Sequence, residues 1–299
     1  MEILVTGANG FLGKSIVNEL SKDNTLFSLS RTSRDYSISL DVDIPRFNQK
    51  FDLVIHAAGK AHSIPKHSLD KKQFFDVNVT GTLNLLKGLE TVGVPKQFVF
   101  ISSVSVYGQE IGTNIKEEHV LDAQDPYGLS KLKAEEIIIK WCEYHNVVCT
   151  ILRLPLLVGV NPPGNLGAML RMIEKGYYFN IGGGKAKKSM VLVDDVASFI
   201  PTVAAVGGVF NLTDGFHPSF KELSLSIILR KKKIKPLNMP LFLVKLVGYV
   251  GDLLGDRFPI DSLKIKKITS DLTFDDTKAR KLLGWNPRSV LEYLKNNNL

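Results

Sequence analysis

The chain has 299 residues, 44% of them hydrophobic and 23% charged, enough for one sizeable core or for a large domain with a smaller one attached. Its net charge of +8 suits ligands that carry phosphates, but the densest basic run, RKKKIK (230–235), closes a helix-like segment, where cations complement the helix dipole. A nucleic-acid surface would want basic residues interleaved with aromatics along one element, so nucleic acid is not expected as a partner.

Met1 leads straight into EILVTG without a basic region or a long apolar one, so no secretory leader is expected. Cys142 and Cys149 fall on a predicted helix and the strand after it and read as reduced thiols, with neither a disulfide nor a metal site expected. The expected location is cytoplasmic.

In chain order, EILVTG (2–7) reads as a strand and LGKSIVNELSK (12–22) as a helix. TLFSLS (25–30) and SISLDV (37–42) read as the second and third strands, and FDLVIHAAG (51–59) as the fourth. A long helix over FFDVNVTGTLNLLKGLETVG (74–93) precedes the fifth strand, KQFVFISS (96–103). A second long helix, PYGLSKLKAEEIIIKWCEYHN (126–146), precedes the sixth, VVCTILRLP (147–155). Short apolar runs alternating with helices predict an α/β fold, a doubly wound parallel sheet with helices on both faces.

Beyond residue 160 the rhythm breaks. NPPGN (161–165) and IGGGKAKK (181–188) read as loops, and the latter lacks the Ser or Thr that would follow Gly-Lys in a P-loop. MVLVDDVASFIPTVAAV (190–206) is a strand running into a helix, GVFNLTDG (208–215) is another strand, and the remainder is mostly helical, ending with TKARKLLGW (277–285). PLFLVKLVGYVGDLLG (240–255) contains Lys245 and Asp252 and is shorter than the roughly 20 apolar residues of a membrane span. Its Leu243, Val247, Val250 and Leu254 recur at helical spacing, so a helix facing the core or a partner is expected and no transmembrane segment.

TGANGFLG (6–13) sets Gly7, Gly10 and Gly13 at the first strand-to-helix turn. Gly7 permits the tight turn, Gly10 lets a phosphate approach the backbone, and Gly13 lets the helix pack closely on the sheet. Unpaired N–H groups at the helix start then offer a site for a pyrophosphate.

The G-x-x-G-x-x-G spacing resembles the short-chain dehydrogenase/reductase superfamily, and TGANGFLG is similar to its extended branch, the nucleotide-sugar epimerases and dehydratases. The likeness continues in order through HAAG (56–59), NVTGTLNLL (78–86), FISSVSVYG (100–108), YGLSK (127–131), VLVDDVA (191–197) and DDTKARKLLGW (275–285). It implies a Rossmann-type NAD(P)-binding domain over 1–160, with 190–212 returning to it, and a smaller C-terminal α/β substrate-binding domain over 161–299. It also implies that Asn9, Phe11 and Leu12 join the three glycines at the cofactor, that Asp41, beside Val42, holds the adenine amine, and that Ala57, Ala58 and Pro155 line the site. Asn78 would support it and Lys131 would hold the nicotinamide ribose. Ser30 stands where an aspartate would grip the ribose 2′-hydroxyl of NAD, with Arg31 and Arg34 close behind. That pattern suits the 2′-phosphate of NADP, or an Arg31 that stacks on adenine with NAD or NADP accepted.

By the same resemblance Tyr127 and Lys131, four apart and on one helix face, exchange a proton with a sugar hydroxyl as hydride moves to or from the cofactor. The ammonium and the positive nicotinamide are expected to lower the phenol from its usual ~10. Ser103 would share a hydrogen bond with the same sugar oxygen. Dehydratases of the family carry an acid pair after this serine, where the chain has Val104 and Ser105, which disfavours loss of water. Two reactions remain, epimerisation at C4 or reduction of a 4-keto-6-deoxy sugar.

Asn165, Leu166 and Lys188 stand at the family's contacts to the nucleotide and diphosphate, and Lys264, Lys266 and Lys267 replace an arginine-rich segment. The implied substrate is a UDP-hexose or UDP-N-acetylhexosamine of surface polysaccharide synthesis, and the implied assembly a homodimer through helices 72–92 and 127–145. A non-catalytic dinucleotide sensor and a reductase of hydrophobic alcohols are the alternatives from other classes.

Overall fold

The computed structural model describes residues 1–61, 68–231, 236–254 and 262–297. Its first half runs β1 (Glu2–Thr6), α1 (Phe11–Leu20), β2 (Thr25–Ser30), β3 (Tyr36–Ser37), β4 (Leu53–His56), α2 (Ser68–Phe75), α3 (Gly81–Val92), β5 (Gln97–Ser103), β6 (Gly112–Ile115), α4 (Pro126–His145) and β7 (Val148–Leu154). It continues through β8 (Leu156–Val158), α5 (Gly164–Lys175), β9 (Phe179–Ile181), β10 (Met190–Leu192), α6 (Val193–Val206) and β11 (Gly208–Asn211). The last part holds α7 (Phe220–Lys231), β12 (Leu237–Met239), α8 (Leu241–Leu254), α9 (Ser262–Thr269), β13 (Leu272–Phe274), α10 (Thr277–Leu283) and α11 (Val290–Asn296).

Seven strands form one parallel sheet in the order β11-β7-β5-β4-β1-β2-β3. Alternate side chains of each strand feed opposite cores. Ile3, Val5, Val99 and Ile101 pack under α1 and α6, while Leu4, Val54, Phe98 and Phe100 pack under α3 and α4. The strand order reverses between β1 and β4, where Thr6 pairs with His56. In such sheets the crevice beyond the strand ends at this reversal is where ligands sit. The residues that follow are Gly7 on one side and Ala57 on the other.

β11 joins the main sheet beside β7, and α6 lies against α1. A separate apolar cluster gathers Leu166, Leu170 and Ile173 of α5 with Leu223 and Ile227 of α7 and Leu294 of α11. Three two-stranded parallel sheets, β10-β8, β12-β9 and β13-β6, complete the described strands.

Several expectations need correction. The third strand does not span 37–42: after Ser37 the chain turns, with the Ser39 hydroxyl bonded to Asp41 and the Ser39 carbonyl accepting from the amides of Val42 and Asp43. Local side-chain bonding of this kind competes with a strand ladder. The helix expected from residue 74 begins at Ser68 and passes through a π-helical turn, Asp76–Thr80, before α3. The IGGGKAKK loop contains β9's end and a 3-10 turn, Gly182–Gly184. In the RKKKIK run, Arg230 and Lys231 end α7, and 232–235 lie outside the described residues, as does 255 at the end of the apolar stretch.

Candidate active site

The opening turn shows why each glycine is there. Gly7 has φ +68°, and a Cβ on it would stand 2.6 Å from the Ala58 nitrogen and 2.8 Å from the Ala57 oxygen. A Cβ on Gly13 would meet the Gly7 oxygen at 2.1 Å, so α1 and β1 close together only if residue 13 is glycine. Gly10 differs: its Cβ position meets nothing closer than the Gly7 oxygen at 3.0 Å. Gly10 is also the N-cap of α1, with no side-chain cap and no acidic residue in the first turn, so the helix start is left open to an anion.

A cleft of about 700 Å³ opens beside this turn, a size suited to an organic ligand. Gly7, Asn9, Gly10, Arg31, Asp41, Ala57 and Ala58 all line it, together with Ser30 and Gly59. A dinucleotide fits this wall: glycine backbone for the pyrophosphate, Asp41 for a donor such as an amine, and Arg31 for a phosphate or a ring. Asn9 is held by its amide, which donates to Ser30 Oγ at 2.9 Å and Thr32 Oγ1 at 3.0 Å.

Other residues expected at the cofactor do not line this cleft with their side chains. Val42 is 71% exposed and lines a separate groove with Arg46 and Phe47, because the turn at Ser39–Asp41 carries it outward. Leu12 is buried in the core beneath α1, and Phe11 packs against that core near Gly159. Gly13 acts through packing, as described, and Pro155 is half-buried between β7 and β8. Asn78 is buried, accepts from the Lys60 amide at 2.7 Å and donates to Ser130 Oγ at 2.8 Å.

The second group comes from β5 and α4. Asp125 caps α4, its Oδ1 accepting from the amides of Tyr127 at 3.0 Å and Gly128 at 3.1 Å, with Pro126 in the first turn. This cap fixes Tyr127, whose ring lies 6.0 Å from that of Phe74. One turn on, Lys131 is buried, with Nζ donating to the Ile101 carbonyl at 2.8 Å and lying 4.5 Å over the Phe100 ring. A Cβ at Gly59 would come within 3.1 Å of both Lys131 Nζ and Asn78 Oδ1, so Gly59 joins the lysine to the cleft wall. Sequence reasoning missed Gly59, although it closes the quoted HAAG block.

Burial pulls the Lys131 ammonium down to about 8, and Glu135 opposes it. For Tyr127 the chain by itself gives the opposite direction to the one expected with a nicotinamide bound. Burial pushes the phenol up, a hydrogen bond with Ser103 works the other way, and Asp125 adds to the rise. A lowered phenol therefore requires positive charge brought by a ligand, beyond what the chain provides. Ser103 is buried at the end of β5, where its Oγ accepts from the Ser105 amide at 3.2 Å.

His56 is a second residue that the sequence reading passed over. Thr82 Oγ1 donates to the Asn78 carbonyl at 2.7 Å, so it accepts from His56 Nε2 at 2.9 Å. His56 Nδ1 then accepts from the Thr6 hydroxyl at 2.7 Å, and Thr6 Oγ1 takes the Ala58 amide at 3.1 Å. Full burial, with Lys131 adding, holds the ring neutral, its pKa lowered to about 3. This chain ties the ends of β1 and β4 to the helix that carries Asn78. A buried pair stands beneath α4: Arg153 Nη2 lies 2.8 Å from Glu135 Oε2, and the Ser102 hydroxyl donates to the same carboxylate.

The expected substrate residues do not line the glycine-turn cleft. Leu166 is buried in the α5 cluster, so its side chain packs the core and does not face a ligand, whereas Asn165 beside it is exposed. Lys188 is half-buried, its Nζ donating to the Lys267 carbonyl at 3.0 Å, and burial lowers its pKa. No helix among the described residues is long and apolar enough to cross a membrane.

The profile of the NAD dependent epimerase/dehydratase family matches residues 3–212. The chain is 31% identical, over 93% of its length and 88% of the relative's, to the N-acetyl-alpha-D-glucosaminyl-diphospho-ditrans,octacis-undecaprenol 4-epimerase of Escherichia coli O157:H7. It is 29% identical, over 97% and 92%, to a UDP-glucose 4-epimerase of Vibrio cholerae. The fold is similar to the Thermotoga maritima UDP-glucose 4-epimerase solved with UDP-glucose, with a TM-score of 0.77 at 22% identity over 99% of this chain and 96% of that one. With its glycine turn at the sheet's reversal point and Tyr127 and Lys131 one turn apart on α4, the chain belongs to the NAD dependent epimerase/dehydratase family, the extended branch of the short-chain dehydrogenases/reductases.

Proposed function

We propose that the chain is a C4 epimerase of a UDP-hexose or UDP-N-acetylhexosamine. The observation that carries this reading is the triad Ser103, Tyr127 and Lys131 beside the dinucleotide-sized cleft, followed by Val104 and Ser105, which hold no carboxylate. A bound NAD or NADP supplies the acceptor and the donor of hydride. Tyr127, ionised, takes the proton of the sugar's 4-hydroxyl and later returns one, and Ser103 Oγ holds the same oxygen. Lys131, buried at Gly59, favours the phenolate electrostatically and holds the ribose. Asn165 and Lys188 bind the nucleotide and diphosphate side, with residues 1–160 and the returning segment 190–212 serving the cofactor and the remainder of 161–299 the sugar nucleotide. A homodimer through α3 and α4, where Leu83 and Leu129 are exposed, belongs to the same proposal.

A second substrate is favoured by the relative at 31% identity, whose name gives a diphospho-undecaprenol carrier in place of a nucleotide. The test presents UDP-glucose, UDP-N-acetylglucosamine and a polyprenyl-diphosphate-linked N-acetylglucosamine to the purified protein and follows C4 configuration by NMR. Inversion without net consumption of nicotinamide supports epimerisation on whichever carrier reacts. Stoichiometric oxidation of NADPH with a 4-keto-6-deoxy sugar would instead make the chain a reductase, an outcome that Arg31 in the cleft keeps in view.

A further inference from the structure

We propose that α8 and α9 form a face that docks on the surface of an anionic lipid bilayer. α8 packs inward through the buried Val244 and through Gly248, where a Cβ would stand 2.5 Å from Ile265 Cδ1 of α9. On its opposite side Phe242, Lys245, Leu246 and Tyr249 recur at i, i+3, i+4 and i+7 and share one stripe. Phe242 is 70% exposed and Leu246 and Tyr249 are each 62% exposed. Leu263, on neighbouring α9, is also exposed, so large apolar side chains are contiguous here and not scattered singly.

Charge selects the occupant. The sequence 230–267 carries ten Lys and Arg against three Asp, and among its described side chains Lys245 and Lys266 are exposed cations and Asp252 is the exposed acid, its carboxylate accepting from the Ser262 amide at 3.0 Å. Lys245 lies within the apolar stripe, and Lys266 is exposed on α9. Apolar side chains interleaved with cations match an anionic headgroup layer over acyl chains, the pattern of helices that lie in an interface. At 14 residues α8 is too short to span and suits lying flat. A second copy would oppose this cationic surface with its own, which disfavours self-association through this face. Nucleic acid would leave Phe242 and Leu246 without an apolar partner.

The test is flotation of the full chain with vesicles of phosphatidylglycerol and phosphatidylethanolamine, against vesicles of phosphatidylcholine alone. The anionic vesicles should bind it roughly tenfold more tightly or better, and salt should weaken the difference. Phe242→Asp with Leu246→Asp should abolish flotation while Tm and cofactor binding stay at wild-type values. Lys245→Glu should weaken binding to anionic vesicles and leave phosphatidylcholine binding unchanged. Wild-type protein that fails to float, or aspartate variants that float as wild type does, would overturn the proposal. So would aspartate variants that change the sedimenting mass with vesicle binding unaltered, since the face would then hold a second copy.

Discussion

Gly10 and Gly13 lie three residues apart, yet their substitution should fail in different ways. A Cβ on Gly13 sits 2.1 Å from the Gly7 oxygen, more than an ångström short of the 3.4 Å at which ordinary contact begins. Gly7 cannot yield, because its amide is bonded to the Leu29 carbonyl at 2.8 Å and its other side abuts Ala57 and Ala58. Gly13→Ala therefore belongs at the upper end of overpacking costs, about 3 kcal/mol, which lowers Tm by roughly 5–10 °C. Gly10 is exposed, its φ of −73° and ψ of 172° suit any residue, and its nearest neighbour is at 3.0 Å. Gly10→Val should cost less than about 1 kcal/mol in the protein alone. It places a branched side chain in the cleft, however, where the pyrophosphate must lie. Thermal shift reads both effects. At a hundredfold excess over Kd a cofactor stabilises the wild type by about 2.7 kcal/mol, and Gly10→Val should show no such gain. Wild-type cofactor stabilisation of Gly10→Val, or equal Tm values for the two variants without cofactor, would refute the reasoning.

Tyr127→Phe removes the proton-transferring oxygen while keeping the ring against Phe74, so turnover in the epimerisation assay should fall by roughly 10² or more with Tm little changed. Arg31→Ala should weaken NADP far more than NAD in titration calorimetry, since only the former loses a charge-assisted bond; equal losses would assign Arg31 to the adenine. His56 should give an acid-side signature. Its pKa is about 3 folded against the ordinary 6.5 of an unfolded chain, so the unfolded chain binds the extra proton between those pH values and stability falls as pH drops through that window. The slope should reach about 1.4 kcal/mol per pH unit in urea titrations, and His56→Gln should flatten it; an unchanged slope would place the proton elsewhere.

The parallel sheet was legible because its strands are buried on both faces and read as continuous apolar runs, such as LVIH at β4 and FVFIS within β5. The glycine turn was legible because its spacing has one steric solution. What escaped was set by contacts distant in sequence. β6, β8, β12 and β13 have only three or four residues each and pair with partners that no local pattern announces. Val42 looked like the end of a strand, but Ser39 and Asp41 turn the chain first. Leu166 is itself a candidate ligand contact by resemblance, yet it falls on the buried stripe of α5. His56 was visible inside the HAAG block, but its role depends on Thr6 and Thr82, which lie 50 and 26 residues away. The Tyr127 shift depends on burial, which sequence spacing does not convey.

The central claim is proton transfer by Tyr127 with hydride leaving and returning at C4 of one sugar. It is tested most directly with a UDP-hexose or UDP-N-acetylhexosamine carrying deuterium at C4. The expected product is the C4 epimer with its deuterium retained at C4, formed by wild type and not by Tyr127→Phe. A 4-keto-6-deoxy product would show that water is lost despite Val104 and Ser105, and deuterium lost to solvent during inversion would show that hydride does not return to the carbon it left; either result would contradict the account.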